Sequence, residues 1–171
     1  MKWLTEVMQV GEVNDEGLPM DKAVSTRLSQ VCGLTARQMV PLTLDKFDDL
    51  TKEFKNTLFD NSVQPYVQYP EELKDKGMKI AMKTISHAWR TYKSRLLACL
   101  KKEQNPFDKF KDLTQEDWER FVTKCRSDKF VANSEYMWWL RSQNELNHHL
   151  GSTGYAGKQR QWEQEDERLA Q

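Results

Sequence analysis

The chain has 171 residues, a formal net charge of +0 and 38% hydrophobic residues. This length fits one domain of ordinary size, and the hydrophobic fraction is sufficient for a core. Only seven Gly and five Pro, with a mean hydropathy of -0.83, argue against a turn-rich β-sandwich and favour a solvated helical protein. No run approaches the ~20 apolar residues of a membrane span, so no membrane partner is predicted.

The N-terminal quarter of the chain has a weak pattern. Glycines and prolines interrupt it at Gly11, Gly17, Pro19, Gly33 and Pro41. Only residues 21–31 could carry a short helix. We therefore expect residues 1–42 to be a poorly ordered N-terminal region and residues 43–171 to form the helical domain.

The first clear amphipathic helix is predicted over residues 43–59. Thr43 or Asp45 can cap it. Its apolar residues recur every three or four positions, at Leu44, Phe47, Leu50, Phe54 and Leu58. Residues 61–70 contain two prolines and are predicted to form an extended linker.

A long second helix is predicted over about residues 71–103, with a possible break at Gly77. Its apolar stripe comprises Ile85, Ala88, Trp89, Tyr92, Leu96 and Cys99. Pro106 is predicted to end this helix, because the residue before a proline disfavours α geometry. Thr114 then opens a third helix, with Asp117 three residues later as a weak capping box. Its buried face is predicted to contain Trp118, Phe121, Val122 and Cys125.

A fourth helix is predicted over about residues 133–148 and a last one from about Ala156. Trp138 and Trp139 lie about 100° apart on the fourth helix, so they cannot both face the same core. One of them could be exposed, although we expect burial against the last helix or the linker. No segment alternates with period two, so no sheet is predicted. The predicted fold class is all-α, a single irregular bundle of about four to five helices.

Three cysteines, Cys32, Cys99 and Cys125, are an odd number, lie far apart and form no Cys-x-x-Cys pair. This usage favours buried thiols in a reducing, intracellular compartment over a disulfide framework. We expect Cys99 and Cys125 to be buried, because both fall on apolar stripes.

Positive charge is concentrated between residues 77 and 102. Seven basic residues and no Asp or Glu occur there: Lys79, Lys83, Arg90, Lys93, Arg95, Lys101 and Lys102. With the apolar stripe buried, Lys83, Arg90, Lys93 and Lys101 are predicted to spread over the outer side of one helix. Cations placed in this way can bind DNA phosphates. The alternative is a solvated face with acidic partners on neighbouring helices, among them Asp112, Glu116 and Glu119.

The second half of the chain contains an ordered series of motifs. They are Trp89-Arg-Thr-Tyr92-Lys93, Pro106-Phe107, Asp117-Trp118-Glu-Arg-Phe121-Val122, and His148-His-Leu-Gly151-Ser152-Thr-Gly154-Tyr155-Ala-Gly157-Lys158, followed by Trp162. In this order and spacing they resemble the plant transposase family of the Ptta/En/Spm (CACTA element) type, over about residues 85–167. The chain departs from that family in the helix before the glycine loop. There it has Trp138 and Leu140 and keeps only Arg141 of the basic residues.

The resemblance implies a transposon-derived accessory protein that recognises element DNA in the nucleus. Arg141 and Lys158 are then further candidate DNA contacts, because a helix N-terminus beside Lys158 can hold a phosphate. The loop that contains Gly151, Ser152 and Gly154 is predicted to reverse the chain, with Gly151 as a left-handed cap. The alternative is a helical protein-interaction module, whose partner is a second copy or another element-encoded protein.

No catalytic site is predicted. Metal-dependent strand transfer needs clustered acids that hold two ions, and the sequence offers no sheet to carry them. Glu145 and His148 share a helical face and could bind a metal, but the His also suits a helix C-terminus. The spacing between Gly151 and Lys158 does not match a phosphate-binding loop. We therefore predict no enzyme, cofactor, metal or small-molecule substrate.

Overall fold

A computed structural model describes residues 6–143 of the chain. The chain divides into two compact units, Met1–Ser127 and Asp128–Gln171. The all-α fold class predicted from the sequence is confirmed. In the described residues the helices are α1 (Lys22–Gln38), α2 (Lys52–Leu58), α3 (Lys74–Lys101), α4 (Gln115–Cys125) and α5 (Asp128–Ser142), and two short strands are β1 (Met8–Gln9) and β2 (Val67–Gln68).

The N-terminal region carries a helix that belongs to the core. The Asp21 carboxylate caps α1 by accepting hydrogen bonds from the backbone N–H groups of Ala23 and Val24 at 2.7 and 3.1 Å. The buried face comprises Val24, Leu28, Val31, Cys32, Thr35 and Ala36. The expectation of weak order with at most a short helix is therefore corrected. This face packs against α3. It includes small and polar residues, so its hydrophobicity differs little from that of the exposed face and the sequence did not reveal it.

A two-residue parallel strand pair corrects the prediction of no sheet. Met8 is paired with Val67, and Gln9 with Gln68. The Met8 N–H donates to the Tyr66 carbonyl at 3.0 Å, and the Val10 N–H donates to the Gln68 carbonyl at 2.9 Å. Strands this short show no period-two alternation, and for this reason the sequence did not reveal them.

The helix predicted over residues 43–59 begins later than expected. α2 begins at Lys52, where the Thr51 hydroxyl accepts a hydrogen bond from the Phe54 N–H at 3.2 Å. Before it, a 3-10 turn at Phe47–Asp49 is closed by the Lys46 N–H, which donates to the Asp49 carboxylate at 3.0 Å. These local side-chain hydrogen bonds compete with an α-helical start. The apolar stripe was placed correctly nevertheless, since all five of its residues belong to the core or pack against it.

α3 is continuous over 28 residues and shows no break at Gly77. A Cβ added to Gly77 would lie 2.5 Å from the Tyr69 ring, so glycine is required here by close packing. The predicted stripe is buried through Ile85, Trp89, Tyr92, Leu96 and Cys99. The helix ends at Lys101, and Glu103, two residues later, adopts a φ of 53°.

Aromatic rings and thiols fill the interior of the first unit. Trp89 is 2% exposed and lies 6.1 Å from Phe47 between ring centroids. All three cysteines are buried and unpaired, as predicted for Cys99 and Cys125. Burial raises the pKa of the Cys32 thiol to about 12, so this thiol stays protonated and apolar in character.

The third predicted helix and its cap are confirmed in α4. The Thr114 hydroxyl accepts from the Asp117 N–H at 3.1 Å and donates to the Asp117 carboxylate at 2.6 Å. Phe121 and Cys125 are buried, and the Trp118 and Phe121 rings stack at 6.0 Å. Lys124, on the same helix, donates to the Thr43 carbonyl and the Asp45 carboxylate.

α5, in the second unit, begins at Asp128 rather than near residue 133 and has no buried residue. Trp138 is 73% exposed and Trp139 is 52% exposed. The expected burial of these tryptophans is therefore wrong for the described residues, because α5 lacks a single apolar face and distributes its large side chains around the helix. The predicted continuation to residue 148 and the last helix from Ala156 lie outside the described residues.

Candidate nucleic-acid interface

Four exposed cations form one stripe on the outer face of α3, opposite its buried residues. They are Lys79, Lys83, Arg90 and Lys101, and they are called the α3 stripe below. Their spacings of four, seven and eleven residues are each close to a whole number of helical turns. At 1.5 Å per residue the stripe is about 33 Å long. Lys79, which was not among the predicted contacts, extends it towards the start of the helix.

The α3 stripe keeps its side chains accessible to an anion. The Lys83 ammonium lies 3.0 Å from the Glu16 carboxylate, and both side chains are more than half exposed. Such a surface pair is worth little and can exchange for a phosphate. The Arg90 Nε donates to the Ser86 carbonyl of its own helix at 3.3 Å, which leaves the outer nitrogens of the guanidinium to other acceptors.

Lys93 does not belong to this stripe, which corrects its predicted position on the outer side of the helix. Its Nζ donates to the Leu44 carbonyl at 2.6 Å and lies 4.0 Å from the centroid of the Trp89 ring. Lys93 follows Trp89 by four residues, so its stem runs over the indole at the edge of the core. Burial, followed by the nearby Lys124 ammonium, lowers the pKa of Lys93 to about 8, against the opposing effect of the Asp45 carboxylate.

The segment before α2 is held by three side-chain donors, which sequence reasoning missed. The Trp89 Nε1 donates to the Pro41 carbonyl at 3.2 Å. Lys93 and Lys124 donate to the carbonyls of Leu44 and Thr43 respectively. Three donors from two helices thus satisfy the carbonyls of an irregular segment that lacks helical hydrogen bonds. The four-residue spacing of Trp89 and Lys93 indicates that both side chains lie on the same side of α3, which accounts for two of the three donors.

The acids proposed as partners of the basic stretch interact elsewhere. The Asp112 carboxylate lies 3.6 Å from the Arg37 Nε, and the Glu116 carboxylate lies 2.6 Å from the Arg120 guanidinium. Glu119 accepts a hydrogen bond from the Gln115 amide at 2.8 Å. None of these contacts neutralises the α3 stripe.

The remaining predicted contacts do not belong to α3. Arg141 is exposed on α5, in the second unit. Lys158 and the loop residues Gly151, Ser152 and Gly154 lie outside the described residues, as do Glu145 and His148.

Between residues 6 and 143, no group of three or more His, Cys, Asp or Glu side chains could hold a metal ion. Over the same residues, the helices are too short or too polar to span a lipid bilayer. No family model matches the chain, and no curated protein or solved structure is significantly similar to it.

Proposed function

We propose that the chain is a transposon-derived accessory protein that binds DNA in the nucleus and does not itself catalyse strand transfer. The observation that carries the proposal is the α3 stripe, because residues 77–102, which contain it, include no Asp or Glu. The transposon origin is supported by the motif series between residues 85 and 167, which resembles the plant transposase family.

The α3 stripe suits contacts with phosphates rather than with bases. Its length of about 33 Å is comparable to one turn of B-DNA, which rises about 34 Å. Lysine and arginine side chains at this spacing can each neutralise a phosphate and release its condensed counterion. Binding of this kind is tolerant of sequence and falls steeply with salt.

The test is the salt dependence of duplex binding, measured by fluorescence anisotropy with a labelled duplex. Four phosphate contacts predict a slope of about −3 to −4 in a plot of log K against log salt concentration. Arg90→Glu with Lys101→Glu should reduce affinity at low salt by about 100-fold, because each reversal replaces an attraction with a repulsion. Lys93 is unsuitable for this test, since its ammonium binds the Leu44 carbonyl.

The matched control is Lys22→Glu with Lys52→Glu, which changes the net charge by the same amount. Both lysines are exposed and occupy the first position of a helix, where an acid is well tolerated. The control should retain duplex affinity to within about threefold, a difference set by its changed net charge. Equal losses in both double variants would refute the stripe as the binding surface.

A second candidate function, protein interaction, is favoured by one observation on α5. Five consecutive large side chains are exposed there: Tyr136, Met137, Trp138, Trp139 and Leu140. The Tyr136 and Trp139 rings stack at 6.1 Å, which fixes an aromatic surface on one side of this helix. Light scattering during size-exclusion chromatography should then show a dimer that Trp138→Ser with Trp139→Ser converts to monomer. A monomer at all concentrations would dismiss self-association.

A further inference from the structure

A cleft beside α3 gathers positive charge on the side of the helix away from the α3 stripe. The last turn of α1, one side of α3 and the segment 109–112 form its walls, and its volume is about 510 Å³. Four permanent cations line it: Arg37, Arg95, Lys109 and Lys111. Asp112 is the one acid in the lining, so the fixed charges sum to four minus one, or +3.

The charges in this cleft are only partly compensated. Asp112 lies 3.6 Å from the Arg37 Nε, which orients that guanidinium but leaves its other nitrogens available. The Lys109 ammonium donates to the Gln104 side-chain carbonyl at 3.3 Å. Within residues 6–143, Arg95 and Lys111 make no ion pair. Like charges held around one concavity repel one another, and a bound anion would relieve that repulsion.

The cleft also has an apolar wall with one hydroxyl. The Tyr92 and Phe110 rings meet edge to face at 5.2 Å, beside Ala88. Burial raises the pKa of Tyr92 to about 12, with Arg37 opposing the increase and Asp112 and Asp117 adding to it. The phenol is therefore protonated at neutral pH and can donate a hydrogen bond to an anion.

We propose that this cleft binds the phosphate monoester of a nucleotide. Arg95, Lys111 and the outer nitrogens of Arg37 hold the phosphate, and the nucleoside lies against the partly exposed Phe110 ring of this wall. A net charge of +3 suits a phosphate dianion better than a single carboxylate, and the guanidinium forks match phosphate oxygens. The volume is within the range of about 300–1,000 Å³ that small-ligand sites occupy. A bare phosphate would leave the partly exposed Phe110 ring uncovered.

The proposal goes beyond DNA binding by the α3 stripe and does not depend on it. The test is calorimetric titration of the full chain with AMP, adenosine and inorganic phosphate. AMP should bind at least about 10-fold more tightly than either fragment, because it alone reaches both the cations and the aromatic wall. Absence of AMP binding at millimolar concentration would overturn the proposal.

Variants assign the binding to the cleft. Arg95→Gln and Lys111→Gln should each weaken AMP binding about 10-fold, since each removes a charge-assisted hydrogen bond. Both side chains are exposed, so the fold tolerates the changes, and circular dichroism checks this. Lys79→Gln, on the α3 stripe, is the control and should leave AMP affinity unchanged. Equal affinity in the wild type and both cleft variants would place the AMP elsewhere and refute the assignment.

A free nucleotide and the 5′ end of a nucleic-acid strand present the same phosphate monoester. Competition against AMP separates these two sources. The competitors are a short single strand with a 5′-phosphate and the same strand with a 5′-hydroxyl. Competition by the phosphorylated strand alone assigns a strand end, and competition by neither assigns a free nucleotide. Equal competition by both strands would show that the monoester is not recognised. The Arg90→Glu, Lys101→Glu variant should still bind AMP, so failure of duplex binding and failure of the cleft are distinguishable.

Discussion

Lys93 shows how one residue can exchange a predicted role in binding for a role in the fold. Its ammonium rests on the Trp89 ring and binds the Leu44 carbonyl, and its pKa is lowered from 10.5 to about 8, chiefly by burial. A lysine whose pKa is lower in the folded state takes up fewer protons there than in the unfolded chain. Stability from this group therefore rises as pH increases from about 8 to about 10.5.

This linkage predicts a pH-dependent difference between the wild type and Lys93→Met, which keeps an apolar stem but cannot titrate. The free energy of unfolding of the wild type should gain on the order of 1 kcal/mol relative to the variant between pH 7.5 and 10, after allowance for partial solvent screening. Urea unfolding at several pH values measures it. Both proteins also carry Cys125→Ala, because the Lys93 ammonium acts on the pKa of the Cys125 thiol, and the substitution removes that coupled titration from the comparison. A constant difference across this range would contradict the assigned pKa.

Gly77 supplies a second test of how a single residue contributes to stability. An Ala in a helix interior normally stabilises relative to Gly by about 1 kcal/mol. At Gly77 the sign should reverse, because the new Cβ would lie 2.5 Å from the Tyr69 ring, and we expect Gly77→Ala to destabilise by about 1–3 kcal/mol. Gly33→Ala in α1 is the matched control, since only the Arg37 guanidinium lies near, at 3.8 Å. It should stabilise. Urea unfolding of both variants decides, and stabilisation by both would show that the Tyr69 ring can move aside.

Among the elements, helices with a clearly apolar face and a clearly polar face could be predicted. A helix start that depends on local capping hydrogen bonds could not. α3 and α4 combine buried aromatics with clear terminal signals, and the bounds of α3 and the start of α4 were expected close to their actual positions. The sequence placed the start of α2 at Thr43 or Asp45, whereas Thr51 caps the helix after the turn closed by Lys46 and Asp49. α1 hides a narrow core face among small residues. The charged cleft was beyond sequence reasoning, because Arg37 and Lys111 meet Arg95 only through packing of distant segments.

The contribution of a helix cap to stability can be tested at the start of α4. Thr114→Ala removes the hydroxyl that accepts from the Asp117 N–H, and it should destabilise by about 1 kcal/mol. Thr123 is an exposed threonine later in the same helix, with its hydroxyl bonded to the Glu119 carbonyl. Thr123→Ala should be neutral or slightly stabilising, because alanine favours helix interiors. Thermal unfolding of both variants makes the comparison, and equal destabilisation would mean that the cap contributes nothing specific.

For the whole molecule, a net charge of zero conceals two separate concentrations of positive charge. The α3 stripe was largely predictable, because it lies on one helix and follows from helical periodicity. The cleft and the stripe both belong to the first unit, whereas the exposed aromatic run belongs to α5. The surfaces that support the two candidate functions therefore lie in different units. Cleaving the chain between Ser127 and Asp128 would separate the two surfaces.

A fragment of residues 1–127 is the corresponding prediction. Every core residue found in the described part of the chain lies between Val10 and Cys125, and α5 contributes none. The fragment should therefore unfold cooperatively, with a midpoint close to that of the full chain, because it retains the apolar burial that stabilises the first unit. It should also keep the salt-sensitive affinity for a duplex and lose any self-association. Calorimetry, anisotropy and light scattering measure these properties on one sample. If the fragment folds and no longer binds a duplex, then residues 128–171 carry the DNA contacts and the α3 stripe is an ordinary solvated surface.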